Sequence, residues 1–331
     1  MDQLSLFPGV VERLDTTAPQ LPSADEILAD PAPGIGASSQ IGLFDARVRE
    51  LRAVREAIAL GEIDEAHDRL RSVEPGADFD VGGMRDRLSK ISEQLAAAGR
   101  LSPRGSVAAI VTLARRLVAD GEPWSRLGRT LLVRAAAAVE DEPSSFAGRL
   151  RIEAGDLEGA LSVLTSALER TRTADLLFAL GDVQTLRDNQ TSARRHYRDA
   201  LLLDPFDPAF ENVLDDDVRS LADVAEADVE IEGEPRAWAA AVGIVSGVLA
   251  LPSPSDFPSS LAAALARARQ FTEALVQTSA PHARHDPNAL VEARRTMKRA
   301  SPALFAWYMA RLTGKTRSSS VVQQPRPAPN G

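Results

Sequence analysis

Four histidines, a crowd of carboxylates and no cysteine set the chemistry open to this 331-residue chain. His282 and His285 lie three apart in a Pro-bounded turn with Asp286 adjacent. From such an imidazole–carboxylate set a weak zinc site, or a metal-dependent hydrolase centre, could be built. It would need a third good ligand and a pocket, and the same residues serve equally well as an exposed turn. His67 and His196 stand apart, His196 beside Tyr197. Asp215, Asp216, Asp217, Asp223, Glu226, Asp228, Glu230, Glu232 and Glu234 crowd into residues 208–234. They could hold a divalent cation, but they lack the Asp-x-Asp-x-Asp-Gly order of a calcium loop and read as an acidic, solvated linker. With no cysteine, thiolate nucleophiles, disulfides and cysteine-held metals are excluded. No Gly-x-Ser-x-Gly elbow, phosphate loop or dinucleotide fingerprint occurs, and "PGIGAS" at 33–38 follows no strand. The expectation is a chain without catalytic residues, cofactor or metal.

The elements that would position any site are helices. Alanine and leucine dominate, aromatics are 5%, and runs of β-branched residues are short. Ala, Leu, Arg and Glu lose little rotamer freedom in a helix, so the fold class expected is all-α. The net charge is −9, which repels a phosphate backbone unless a basic patch intervenes. Arg294, Arg295, Lys298, Arg299 and Arg311 form the one candidate, and they fit a solvated helix face as well. No direct nucleic-acid partner is expected. The longest apolar run, Trp238 to Leu251, is too short to span a membrane. It carries Gly243 and Gly247 at the spacing that lets helices approach closely, and reads as a buried helix. With no apolar leader at the N-terminus, the expectation is a soluble, cytoplasmic protein.

Pro and Gly divide the chain. Residues 1–44 read as a flexible arm rich in Pro, Gly and Ser. Residues 45–140 read as helical hairpins, opening on Val48, Leu51, Val54 and Ile58 at helical spacing. Residues 141–207 hold a repeat, and 208–234 the acidic linker. A C-terminal helical module of three helices, 235–251, 258–278 and 287–313, occupies 235–314. The low-complexity tail 315–331 reads as disordered.

The repeat has a period of 33. Gly148 and Gly181, Ala160 and Ala193, and Ala167 and Ala200 are each 33 apart. Small residues at these places let two helices of one unit cross closely. In residues 174–207, Leu180, Gly181, Ala193, Tyr197, Ala200 and Pro205 resemble the signature of the tetratricopeptide repeat family. Leu177 stands at the usual Trp position and Gln184 at the usual Tyr position. Residues 141–173 match through Gly148, Ala160, Leu164 and Ala167, with Arg172 in place of Pro. "ALGEIDEAHDRL", with Ala66, resembles a third, degenerate copy. The resemblance implies a right-handed α-solenoid that acts as a protein-binding scaffold. Its concave face in the best copy would present Asp175, Phe178, Asp182 and Thr185.

A second resemblance lies in the arm. Gln3-Leu4-Ser5-Leu6-Phe7 is similar to the peptide by which bacterial replication and repair proteins dock onto the DNA polymerase sliding clamp. It implies an extended segment whose Gln amide bonds the rim and whose Leu-Phe pair fills an apolar pocket. A looser copy, Gln40-Ile41-Gly42-Leu43-Phe44, follows 37 residues later. Alternatively, Leu4, Leu6 and Phe7 cap the end of the helical array, and Leu43 and Phe44 staple the first helix.

Overall fold

Capping chemistry marks where many of the helices begin. A Ser, Asp or Asn side chain accepts a hydrogen bond from an orphan N–H of the first turn, and Pro at the first helical position has no N–H to orphan. Ser102-Pro103, Asp286-Pro287 and Ser301-Pro302 are such starts: Ser102 accepts from Gly105, Asp286 from Asn288 and Ala289, and Ser301 from Leu304.

The computed structural model describes residues 37–73, 80–142, 144–231, 233–257, 265–279 and 286–314, and there is no strand among the described residues. The chain is all-helical. The helices are α1 (Ala37–Leu60), α2 (Ile63–Ser72), α3 (Val81–Ala98), α4 (Pro103–Val118) and α5 (Trp124–Ala137). Then follow α6 (Phe146–Ala154), α7 (Leu157–Arg170), α8 (Ala174–Leu186) and α9 (Gln190–Leu203). The last are α10 (Asp216–Arg219), α11 (Leu221–Ala227), α12 (Ala239–Ser246), α13 (Ala266–Ser279), α14 (Pro287–Ala300) and α15 (Pro302–Leu312). The chain divides inside α1, between Arg52 and Ala53, and the helices from α2 onward belong to the second unit. From α2 to α9 most helices pack against the next in sequence, as do α13, α14 and α15.

Three of the helix–turn–helix units share one turn. Gly61, Gly155 and Asp188 are left-handed, with φ of 75°, 80° and 59°. In each, the following N–H bonds back to the carbonyl five residues earlier: Glu62 to Ala57, Asp156 to Arg151 and Asn189 to Gln184, all at 2.9 Å. This closes the last helical turn and starts the next helix. Gly adopts the conformation freely, and Asp is among the few other residues that tolerate it. Five residues on come Ala66, Ala160 and Ala193, nine on Leu70, Leu164 and Tyr197, and twelve on Val73, Ala167 and Ala200. All nine are buried. The internal repeat is thus a repeat of backbone geometry as well as of residue type.

Several boundaries differ from those expected. Helix α1 begins at Ala37, so Gln40 to Phe44 lie in a helix, where the flexible arm was expected to run to residue 44. Residues 208–234 are no linker. A 3-10 turn at Pro208–Asn212 leads into α10 and α11, and Phe210, Val213, Val218, Leu221, Ala225, Val229 and Ile231 are buried. They share one core with Ala174 to Leu202 and with Trp238 to Leu304. The last repeat and the C-terminal helices are therefore one packed body, and a separate module starting at 235 is not observed. Several carboxylates of this stretch are engaged locally, while Asp223, Glu226, Asp228 and Glu230 are exposed. Asp215 caps α10 and, with Asp217, holds Arg194 at 2.9 and 2.6 Å, while Glu211 pairs with Arg236.

The apolar run ends its helix at Ser246, and Gly247 stands exposed at φ 83°. Gly243 alone makes the close approach: a Cβ there would lie 2.5 Å from Leu249 and 2.8 Å from Leu221. The expected helix 287–313 is two helices, broken where Ser301 caps α15. No helix among the described residues is long and apolar enough to cross a membrane.

Candidate functional site

The repeat signature residues meet at the α8–α9 crossing. The ring of Tyr197 lies so close to Gly181 that a Cβ there would fall 2.2 Å from its Cε1 atom. Gly148 holds the same relation to Leu164 in the α6–α7 pair, at 2.4 Å. Ala160, Ala167, Ala193 and Ala200 are fully buried, Leu180 nearly so, and Pro205 is buried as α9 ends. The two Gly-to-large contacts set the spacing of the two helix pairs.

The supposed binding face is closed. Helix α8 is apolar almost all round and is buried from Ala174 to Gln184 apart from the half-buried Asp175, as such a helix must be. One side packs Leu176, Ala179, Leu180 and Val183 on α7. The other side is covered by the chain's own residues 208–214. Phe178, fully buried, stacks on Phe210 with ring centroids 5.8 Å apart. Asp182, only 3% exposed, accepts from the Leu214 N–H at 3.0 Å and from the Tyr197 hydroxyl at 2.7 Å. Thr185 hydrogen-bonds the same hydroxyl at 3.0 Å. Asp175 reaches back to cap α6 through the Ser145 N–H and hydroxyl, at 3.1 and 2.7 Å. Arg149 lies between the two acids, 3.4 Å from Asp175 and 3.5 Å from Asp182. Phe178 and Asp182 therefore offer no open groove to a partner, and Asp175 and Thr185 work inside the fold.

Burial pushes the Asp182 carboxyl above the ordinary aspartate range, against the opposing pull of the Leu214 N–H, the Tyr197 hydroxyl and Arg149. Burial also pushes the Tyr197 hydroxyl up, which keeps it protonated as a donor. A carboxyl with a raised folded pKa takes up its proton in the folded state first. Its penalty is then full at neutral pH and is relieved as pH falls through the folded value towards the unfolded one near 3.8. Asp182→Asn cannot titrate. The stability of wild type relative to this variant should rise between neutral pH and about pH 4. Urea midpoints at a series of pH values measure this, and parallel profiles for the two proteins would show that Asp182 is ionised alike in both states.

A second feature lies between α3 and α4. These helices diverge to leave a groove of about 490 Å³ lined by Leu95, Ala98, Leu101, Ala109, Ile110 and Arg116 among others. Leu101 is 53% exposed there, whereas most leucines among the described residues are buried. Residues 90–116 carry Lys90, Arg100, Arg104, Arg115 and Arg116 against the single carboxylate Glu93. Arg115 is held by Glu153 at 2.7 Å, and Arg104 stands 3.7 Å from Glu142.

The other expected sites divide simply. Gln3, Leu4, Ser5, Leu6 and Phe7 lie outside the described residues, as do His282 and His285. Among the described residues no three His, Asp or Glu side chains are grouped to hold a metal ion. On α14, Glu292 pairs with Arg295 and Arg299 at 3.5 and 2.8 Å. Arg311 leaves that face to donate to the Ser246 carbonyl. Compared with protein-family models, curated proteins and solved structures, the chain matches none.

Sequence reasoning missed Arg149, Phe210 and Leu214, which complete the buried network, and the α3–α4 groove. The groove had a signal. "EQLAAAG" and "VAAIV" place apolar residues on more than one face of each helix, so one core contact cannot cover them all.

Proposed function

We propose that this protein is a non-enzymatic, cytoplasmic interaction scaffold of the tetratricopeptide type, in which α6–α7 and α8–α9 stack as consecutive turns of a right-handed α-solenoid. The observation that carries the reading is the shared register of the three turns at Gly61, Gly155 and Asp188, with small and large residues following at matched positions. Repeats of this kind bury their cores by stacking, which leaves extended outer surfaces for partners. Here the usual groove is filled by residues 208–214, so partners would bind other faces. The experiment is capture by immobilised full-length protein from a lysate of its source cells, followed by hydrogen exchange on the purified complex. A stoichiometric partner that protects helical surface supports the reading. Recovery of no partner above a bovine albumin control would end it.

The pentapeptide favours a second reading, an accessory factor of the sliding clamp. Burying a Leu and a Phe side chain contributes roughly 1.5–3 kcal/mol each, which after ordering costs leaves micromolar-scale affinity. A synthetic peptide spanning Gln3 to Phe7 should bind purified clamp, and the full chain with Leu6→Ala and Phe7→Ala should lose clamp binding with an unchanged melting curve. A melting temperature lowered by several degrees, with no clamp binding by wild type, would assign those side chains to a packing cap.

A further inference from the structure

We infer that the α3–α4 groove is the docking site for an acidic amphipathic helix of a partner protein. The inference rests on the scaffold reading and gives it a place and a partner chemistry. The first ground is shape. Both walls are helices, so a third helix laid along them meets side-chain ridges on each side, which is the helix-in-groove mode of recognition. The floor is apolar: Leu95 and Ala98 come from α3, Ala109 and Ile110 from α4, and Leu101 from the turn between them. The volume of about 490 Å³ accommodates several aliphatic side chains.

The second ground is charge. Lys90 lies one turn before the lining residue Gln94 on α3, and Arg104 one turn before Ala108 on α4. Arg116 lines the other end of the α4 wall. Lys90, Arg100 and Arg116 have no carboxylate partner among the described residues, whereas most arginines of the later helices are ion-paired. In a chain of net charge −9, this stretch carries five cations to one carboxylate, and three of the five remain after Arg104 and Arg115 pair with Glu142 and Glu153. A cationic rim round an apolar floor selects a helix that is apolar on one face and acidic at its edges. It would repel a basic one.

The test uses the full-length chain and a synthetic helical peptide with Leu along one face and Glu elsewhere, followed by fluorescence anisotropy. Two control peptides are the same sequence with Lys for every Glu, and a scrambled Glu/Leu order. The acidic amphipathic peptide is expected to bind more tightly than either control by at least about tenfold, and to weaken as salt rises. Lys90→Glu with Arg116→Glu, two exposed changes, should weaken it by at least about tenfold again, and Leu101→Asp should abolish it. Equal binding of the Lys peptide, or binding indifferent to these variants, would overturn the inference. So would a concentration-dependent dimer in sedimentation that Leu101→Asp dissolves, since a second copy would then fill the groove. The two readings fail separately. A captured partner without binding of the acidic probe removes the groove alone, and probe binding without any captured partner removes the scaffold reading.

Discussion

Tyr197→Ala is expected to lower the unfolding free energy by about 3–5 kcal/mol, the range for truncating a large buried aromatic. The ring is fully buried and fills the space that Gly181 leaves open on α8. Its hydroxyl joins Asp182 to Thr185. Removing it opens a cavity at the α8–α9 crossing and takes one donor from a carboxylate that is already poorly solvated. Two further variants separate these parts. Tyr197→Phe keeps the ring and should cost only about 1–2 kcal/mol, for the lost hydroxyl contacts. Tyr197→Leu copies the Gly148–Leu164 pair of the preceding unit and should fall between the Phe and Ala variants. Gly181→Ala attacks the same contact from the other side, and overpacking there should cost about 1–3 kcal/mol. Urea denaturation with an unchanged slope gives the values. A Tyr197→Ala protein within about 1 kcal/mol of wild type would remove this contact from its place at the centre of the repeat.

Arg198→Ala is expected to cost a similar amount for a different reason. Arg198 is 4% exposed. Its guanidinium donates to Asp199 at 2.9 and 2.6 Å, to Asp256 at 2.8 Å and to the Leu251 carbonyl at 3.1 Å. It thereby ties α9 to the 3-10 turn Pro254–Asp256, where Asp256 also accepts from the Ser253 N–H. Removing it leaves Asp256 without its cation, while Asp199 keeps Arg172 at 3.5 Å, and breaking a buried pair in this way costs about 3–5 kcal/mol. Arg198→Lys keeps a charge but loses the fork that reaches two carboxylates and a carbonyl, so it should recover only part of the stability. In the double variant with Asp256→Ala, the loss should be clearly less than the sum of the single losses, because each removes the same interaction. Additive losses would show that Arg198 and Asp256 act independently. Hydrogen exchange should rise first in residues 251–257, which this contact holds down.

How far the chain could be read without its tertiary structure depends on the residue. Helix starts at Ser102-Pro103 and Asp286-Pro287 were legible because capping is a local matter of one side chain and two or three N–H groups. The period of 33 was legible for the same reason. Gly181, Ala193 and Ala200 must be small, and smallness can be read from residue type alone. Even Ser301-Pro302 carried its signal, although the apolar pattern running on from α14 concealed the break.

The errors fall where exposure was inferred without sight of the partners. The family resemblance put Asp182 and Thr185 on an open face, and nine carboxylates between 215 and 234 read as a linker. Polar residues default to solvent only when no partner is provided inside. Here Tyr197, Leu214 and Arg149 provide one for Asp182, and Arg194 provides one for Asp215. None of these partners is a near neighbour in sequence, so no window along the chain reveals the match. The apolar residues Phe210, Val213, Val218 and Leu221 were present in the acidic stretch all along. Only their packing on Phe178 and the C-terminal helices decides that they close the groove. Helical class, caps and repeat thus follow from local chemistry in the sequence by itself. Which faces are closed, and that α3 and α4 leave one open, was decided by contacts between distant segments.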